Sequence, residues 1–207
     1  MTRDDRIRIL IAREAARVMY EEGVKEYRDA KRKAARRFGP EKALSLGSHL
    51  PSNAEIHAEL ARLIALFEGR AAPERLLRLR LAALRWLELL APFQPLLVGS
   101  VLSGSVTERS DIDLHLFADS PEEVEDFLRS QGVPFTEEVV TIRHGGEFYD
   151  YPHLYLEEDG TEVECTIYPP EERRRAPKSS ITGRAMARAD SARLKKLIAA
   201  ALQGKGG

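Results

Sequence analysis

The stretch Leu96-Leu97-Val98-Gly99-Ser100, followed by Ser110-Asp111-Ile112-Asp113-Leu114-His115-Leu116-Phe117, decides the reading of this chain. Two carboxylates separated by one apolar residue stand inside a hydrophobic run. Side chains alternate faces along a strand, so Asp111 and Asp113 point the same way, their Cβ atoms roughly 7 Å apart at about 3.3 Å rise per residue. Carboxylates on one face repel unless a cation lies between them. Mg²⁺ suits that gap, because it takes a few carboxylate oxygens, keeps some waters and accepts substrate phosphates. Gly99-Ser100 offers the other half of such a site: glycine lets backbone approach a ligand, and free N–H groups at a turn or helix start bind phosphate.

Working outward, the chain changes period at residue 96. Before it, the pattern is helical. Ile7, Ile11, Ala15 and Val18 recur at helical spacing behind Asp4 or Asp5 as a cap, and Gly23 breaks or bends the segment. A second helix, 24–38, stops at Gly39-Pro40. Ser52 and Glu55 have capping-box spacing ahead of Ile56, Leu60, Leu63, Ile64 and Phe67, and Gly69 closes that helix. Leu77, Leu81, Leu84 and Leu87 give the next one an apolar face, with Pro73 in its first turn and Pro92 and Pro95 beyond its end.

After residue 96 the spacing predicts short strands at 96–98 and 112–117, a helix from Ser120-Pro121 to about 129, and strands at 136–143, 147–156 and 161–168. Gly145-Gly146 and Asp159-Gly160 are hairpin-turn signals. A final helix is expected from Gly183 to Leu202, with Ser180 or Thr182 as its cap. The fold class is therefore α+β: a helical N-terminal region, residues 1–71, and a second domain, 72–207, built on a small mixed β-sheet flanked by helices.

The last strand supplies a third carboxylate. In Val163-Glu164-Cys165 the apolar residues face the core and Glu164 the other side; Glu162, two residues away on the same face, is the alternative. Beside the aspartates, either completes a cluster able to hold one or two Mg²⁺ ions.

With these residues in place, Gly99-Ser100, Asp111-Ile112-Asp113 and Val163-Glu164-Cys165 resemble the polymerase-β-type nucleotidyltransferase superfamily, over residues 95–168, and its small bacterial members most of all. Those members often carry an arginine where this chain has Ser103. The resemblance implies a polymerase-β-like domain and transfer of a nucleoside monophosphate from an NTP, ATP foremost, to a hydroxyl, with release of pyrophosphate. It implies that Asp111, Asp113 and Glu164 are catalytic and hold Mg²⁺ or Mn²⁺, that Glu164 also activates the acceptor, and that Gly99 and Ser100 hold the β- and γ-phosphates. Arg109 and Ser110, beside the aspartates, join the nucleotide-binding set. So do Lys178, Ser180 and Arg184, from a run of hydroxyls, glycine and cations whose composition suits an anion.

The remaining signals are blander. His115 shares the aspartates' face and reads as a partly exposed strand residue; His49, His57, His144 and His153 show no metal-ligand spacing. Arg173-Arg174-Arg175, Lys178, Arg184 and Arg188 form a basic stretch that suits a triphosphate or a polyanionic acceptor, or is simply solvated. Residues 25–37 hold seven cations and two acids, a candidate face for RNA or an acidic partner. A net charge of −1 excludes a general polyanion binder. The single cysteine, Cys165, excludes an internal disulfide and a thiolate zinc site and fits a reducing cytosol. No apolar run approaches the roughly 20 residues of a membrane span. The acceptor is expected to be a small molecule, a protein or an RNA. Two rival readings share the fold: a non-catalytic nucleotide- or RNA-binding module, and an antitoxin-type protein whose helical region binds a partner.

Overall fold

A computed structural model describes residues 3–38, 50–69, 71–144 and 147–203. It is α+β, with seven α-helices and one five-stranded mixed sheet among the described residues. Contacts divide the chain into two units: Met1–Ala72 with Ser179–Arg184, and Pro73–Lys178 with Ala185–Gly207.

The first unit is helical: α1 (Arg3–Glu22), α2 (Tyr27–Ala35) and α3 (Asn53–Glu68). Small residues let these helices approach closely. Ile11, Ala12, Ala15, Ala16 and Val18 of α1 pack on Ala30, Ala34 and Ala35 of α2 and on Ile56, Leu60 and Ile64 of α3. The capping box forms as its spacing predicts: Ser52 Oγ accepts from the Glu55 amide at 3.2 Å, and Glu55 Oε2 accepts from the Ser52 amide at 2.7 Å. Glu55 also takes a two-pronged bond from Arg8, at 2.9 and 2.8 Å. Two readings need correction here. Helix α1 starts at Arg3, ahead of both expected caps, and Phe67 lies outside the buried stripe, stacked on Tyr20. The basic run of α2 finds its counter-charges within the chain: Arg32 meets Asp29, Lys33 meets Glu22 and Arg37 meets Glu14. The expected stop at Gly39-Pro40 and His49 lie outside the described residues.

The second unit holds α4 (Ala71–Leu89, from Pro73 onward), β1 (Leu96–Leu97), α5 (Gly99–Ser103), β2 (Ile112–Phe117), α6 (Pro121–Ser130), β3 (Thr136–His144), β4 (Glu147–Glu158), β5 (Thr161–Tyr168), a short 3₁₀ turn at Pro170–Arg174, and α7 (Ser191–Gln203). The strand order is β1-β2-β5-β4-β3, with β2 and β5 parallel and every other pair antiparallel. The hairpin joining β4 to β5 turns through Asp159 and Gly160, both at positive φ (50° and 76°), as a two-residue primed turn requires. The Gly145-Gly146 turn lies outside the described residues.

Alternation sorts the sheet into two faces. Ile112, Leu114, Leu116, Leu154, Leu156, Val163, Cys165 and Ile167 form one core with α4, α6 and α7. The α4 stripe is Leu79, Ala82, Ala83, Trp86 and Leu87, rotated from the expected leucine ladder, so that Leu81 is exposed. The rotation brings Arg80 inward, where its Nε and Nη2 each donate at 3.2 Å to the carbonyls of Val101 and Leu102 and satisfy the end of α5.

The final helix is shorter than expected. Ala189 instead extends the sheet edge, exchanging hydrogen bonds of 2.8 and 2.9 Å with Leu97. Gly183 sits in a turn at φ 68°, and Asp190 Oδ1, not Ser180 or Thr182, accepts from the Arg193 amide to cap α7. No helix among the described residues is long and apolar enough to cross a membrane.

Candidate metal centre on the polar face of the sheet

The face turned away from the helices carries the chemistry. The parallel register aligns Ile112 with Val163 and Asp113 with Glu164, so Asp111 runs beside Glu162. Four carboxylates thus converge on one end of two neighbouring strands, because each sequence alternates acid with an apolar residue.

Three of them draw together. Asp111, Glu162 and Glu164 each present an oxygen within 4.8 Å of the others, the one such group of three or more among the described residues. Glu162 is exposed, and Asp111 and Glu164 are half-buried. Asp113, expected beside Asp111 and Glu164, does not belong to this group of three. Its carboxylate lies against Gly99 instead: a Cβ built on Gly99 would meet Asp113 Oδ2 at 1.9 Å. Gly99 has φ 68°, and the Val98 amide donates to the Asp113 carbonyl at 3.0 Å, so loop and strand are locked side by side. Only a residue without a Cβ leaves room for that carboxylate. Ser100 follows with its Oγ buried and without a hydrogen-bond partner.

His153 was not legible as part of this site. It lies on β4 opposite Thr166, is 4% exposed, and its Nδ1 is 2.7 Å from Glu164 Oε1. Its Nε2 is buried with no partner. The signal that finds it is period two: Tyr151, His153, Tyr155 and Glu157 share the face that pairs with Glu162, Glu164 and Thr166. His115 also departs from its reading. It is 6% exposed, with its ring 4.7 Å from that of Tyr168. Burial first, then Arg188 and His153, push its pKa down to about 4. Beyond it, Leu96, Phe117, Tyr151 and Tyr168 make a small second core on the same face. Cys165 is buried on the opposite face, and burial raises its thiol pKa, which leaves it no role as a nucleophile.

The other residues expected to bind nucleotide lie in two loop segments, 109–110 and 178–184. Ser110 Oγ accepts from the Thr107 amide at 2.9 Å and closes the turn that delivers Asp111; Arg109 is exposed on that turn. Lys178 is exposed and bridges to Ala185. Ser180 and Arg184 belong to the helical unit, where the Ser180 carbonyl accepts from Asn53 Nδ2 at 2.7 Å.

The donor set is all oxygen and strongly anionic, which fits Mg²⁺ or Mn²⁺ and not a thiolate-seeking metal. Fold and site define an α+β protein with an acidic, cation-fitting cluster at the end of a parallel strand pair. No protein-family model matches the chain, and neither a curated protein nor a solved structure matches it.

Proposed function

We propose that this chain is a divalent-metal-dependent nucleotidyltransferase of the polymerase-β type. It moves an NMP from an NTP, ATP foremost, to a hydroxyl on a small molecule, a protein or an RNA, and releases pyrophosphate. The observation that carries this reading is the β2–β5 register, which lines Asp111 and Asp113 up with Glu162 and Glu164 while Gly99 closes on the Asp113 carboxylate. Asp111, Glu162 and Glu164 would hold the cation, with Asp113 beside them. A bound Mg²⁺ or Mn²⁺ supplies charge neutralisation at the phosphates and a lowered pKa at the attacking hydroxyl. Glu164 takes the hydroxyl's proton, and His153, through Nδ1, fixes its carboxylate in one orientation. Gly99 and Ser100 hold the terminal phosphates, and the protein's main contribution is in-line positioning.

The test offers each α-labelled NTP, with Mg²⁺ or Mn²⁺, to cellular RNA, protein and metabolites. Label should enter one fraction and be abolished by Asp111→Asn and by Asp113→Asn. Transfer unchanged in both variants would overturn the assignment. The position of Asp113 outside the three-carboxylate group favours a second reading, a nucleotide-binding module without turnover. That reading expects a thermal shift needing NTP and metal together, with no label transferred.

A further inference from the structure

Beyond the acidic end, the same sheet face carries Arg188, and a second arginine, Arg173, lies close to it. Arg188 immediately precedes Ala189, which pairs with Leu97 at the sheet edge. Leu97 and Ala189 are buried in the main core, so Arg188 takes the opposite face, across from Val98 and in the row of Asp113. The 3₁₀ turn that follows β5 carries Arg173, and Arg188 touches the end of that turn at the Arg175 carbonyl, close enough for the two charges to repel.

Neither guanidinium has a carboxylate partner among the described residues. Arg188 Nη1 reaches only the Arg175 carbonyl, at 3.5 Å. Arg173 Nε is buried and makes no hydrogen bond. The adjacent carboxylate, Glu172, accepts instead from the Tyr151 hydroxyl, at 3.1 and 3.3 Å. Arg8, Arg17, Arg37, Arg85 and Arg129 each reach a carboxylate; what sets Arg173 apart is a buried donor left without any acceptor. Burial, and then repulsion from Arg173, lower the pKa of Arg188. Two like charges half out of water, one with an unsatisfied buried donor, are costly unless an anion offsets them.

We infer that Arg173 and Arg188 form a binding site for a multiply charged phosphate of the pyrophosphate class. Two guanidinium forks present more donors than one carboxylate can accept, and they match the tetrahedral oxygens of phosphate. Val98, which faces Arg188, leads directly into Gly99-Ser100. With strands about 4.8 Å apart, the Arg188 backbone lies two strand spacings, roughly 10 Å, from that of Asp113. In the proposed transfer the site would seat the released pyrophosphate. That placement rests on the nucleotidyltransferase reading; the anion site itself does not.

The full chain is titrated calorimetrically with inorganic pyrophosphate in chelator, so that no metal takes part. Wild type should bind with a salt-sensitive affinity, and Arg173→Gln and Arg188→Gln should each weaken it about 10- to 100-fold, the loss of one charged hydrogen-bonding partner. A second measurement uses wild type alone: pyrophosphate should protect Arg173 and Arg188, but not the exposed Arg109, from phenylglyoxal, read by peptide mass. No pyrophosphate binding, equal affinity in both folded variants, or protection that passes over both arginines would overturn the site. Pyrophosphate binding without Mn²⁺ binding at the acidic cluster would leave the anion site standing and sink the transferase reading.

Discussion

At Gly99 the chain excludes every side chain but hydrogen, since a Cβ there would sit inside the Asp113 carboxylate. Gly99→Ala must push that carboxylate away and force alanine into a left-handed conformation. We expect a loss of about 1–3 kcal/mol in chemical denaturation, together with loss of label transfer. His153 gives a second prediction. Removing it leaves Glu164 without its Nδ1 partner, so His153→Ala should weaken Mn²⁺ binding, followed by electron paramagnetic resonance, by about 10- to 100-fold. His153→Gln, which keeps a donor, should recover part of the loss. At this scale the sequence discloses faces and not rotamers. Alternation put Asp111, Asp113, Glu162 and Glu164 on one surface, but which three oxygens converge depends on side-chain torsions that respond to Gly99. His153 stayed hidden because its partner is eleven residues away across a hairpin: period two gives its face, but not the strand that face pairs with.

Among the elements, β2 and β5 fall where period two predicts them, because polar and apolar residues alternate along both, although their second halves are buried on both faces. The capping box at Ser52 was equally legible, and Ser52→Ala should cost the helical unit about 1 kcal/mol in thermal or urea unfolding. The final helix begins at Ser191 and not at Gly183, since Ala189 pairs with Leu97, a partner far away in sequence. Helix α4 misled for a related reason. Its leucines suit several faces, and the one buried against the sheet carries Leu79, Ala82, Ala83, Trp86 and Leu87, with Arg80 turned inward to the carbonyls of Val101 and Leu102. The β2 strand is the keel of the sheet, and Leu114, fully buried between β1 and β5, should cost about 2–5 kcal/mol when replaced by alanine.

For the whole molecule, acid should act in two windows. His115 has its folded pKa depressed to about 4 from 6.5 by burial, so it binds protons less readily folded than unfolded. Its contribution is intact above 6.5 and is lost as pH falls toward 4. Glu55 is depressed to about 2 from 4.5 by Arg8 above all, with Ser52 adding to the effect; its contribution is intact above 4.5 and is lost as pH falls toward 2. The sheet unit should therefore weaken first and the helical unit second. His115→Gln should flatten the upper limb and Glu55→Gln the lower one, read by circular dichroism across an acid titration. A single limb untouched by either substitution would refute this account. The division of the chain also has a practical corollary. The polypeptide leaves the helical unit after Ala72 and comes back to it for Ser179–Arg184 before leaving again. A gene severed at codon 73 would thus deprive the amino-terminal fragment of a piece of its own fabric, and the two halves would have to be produced together to regain it.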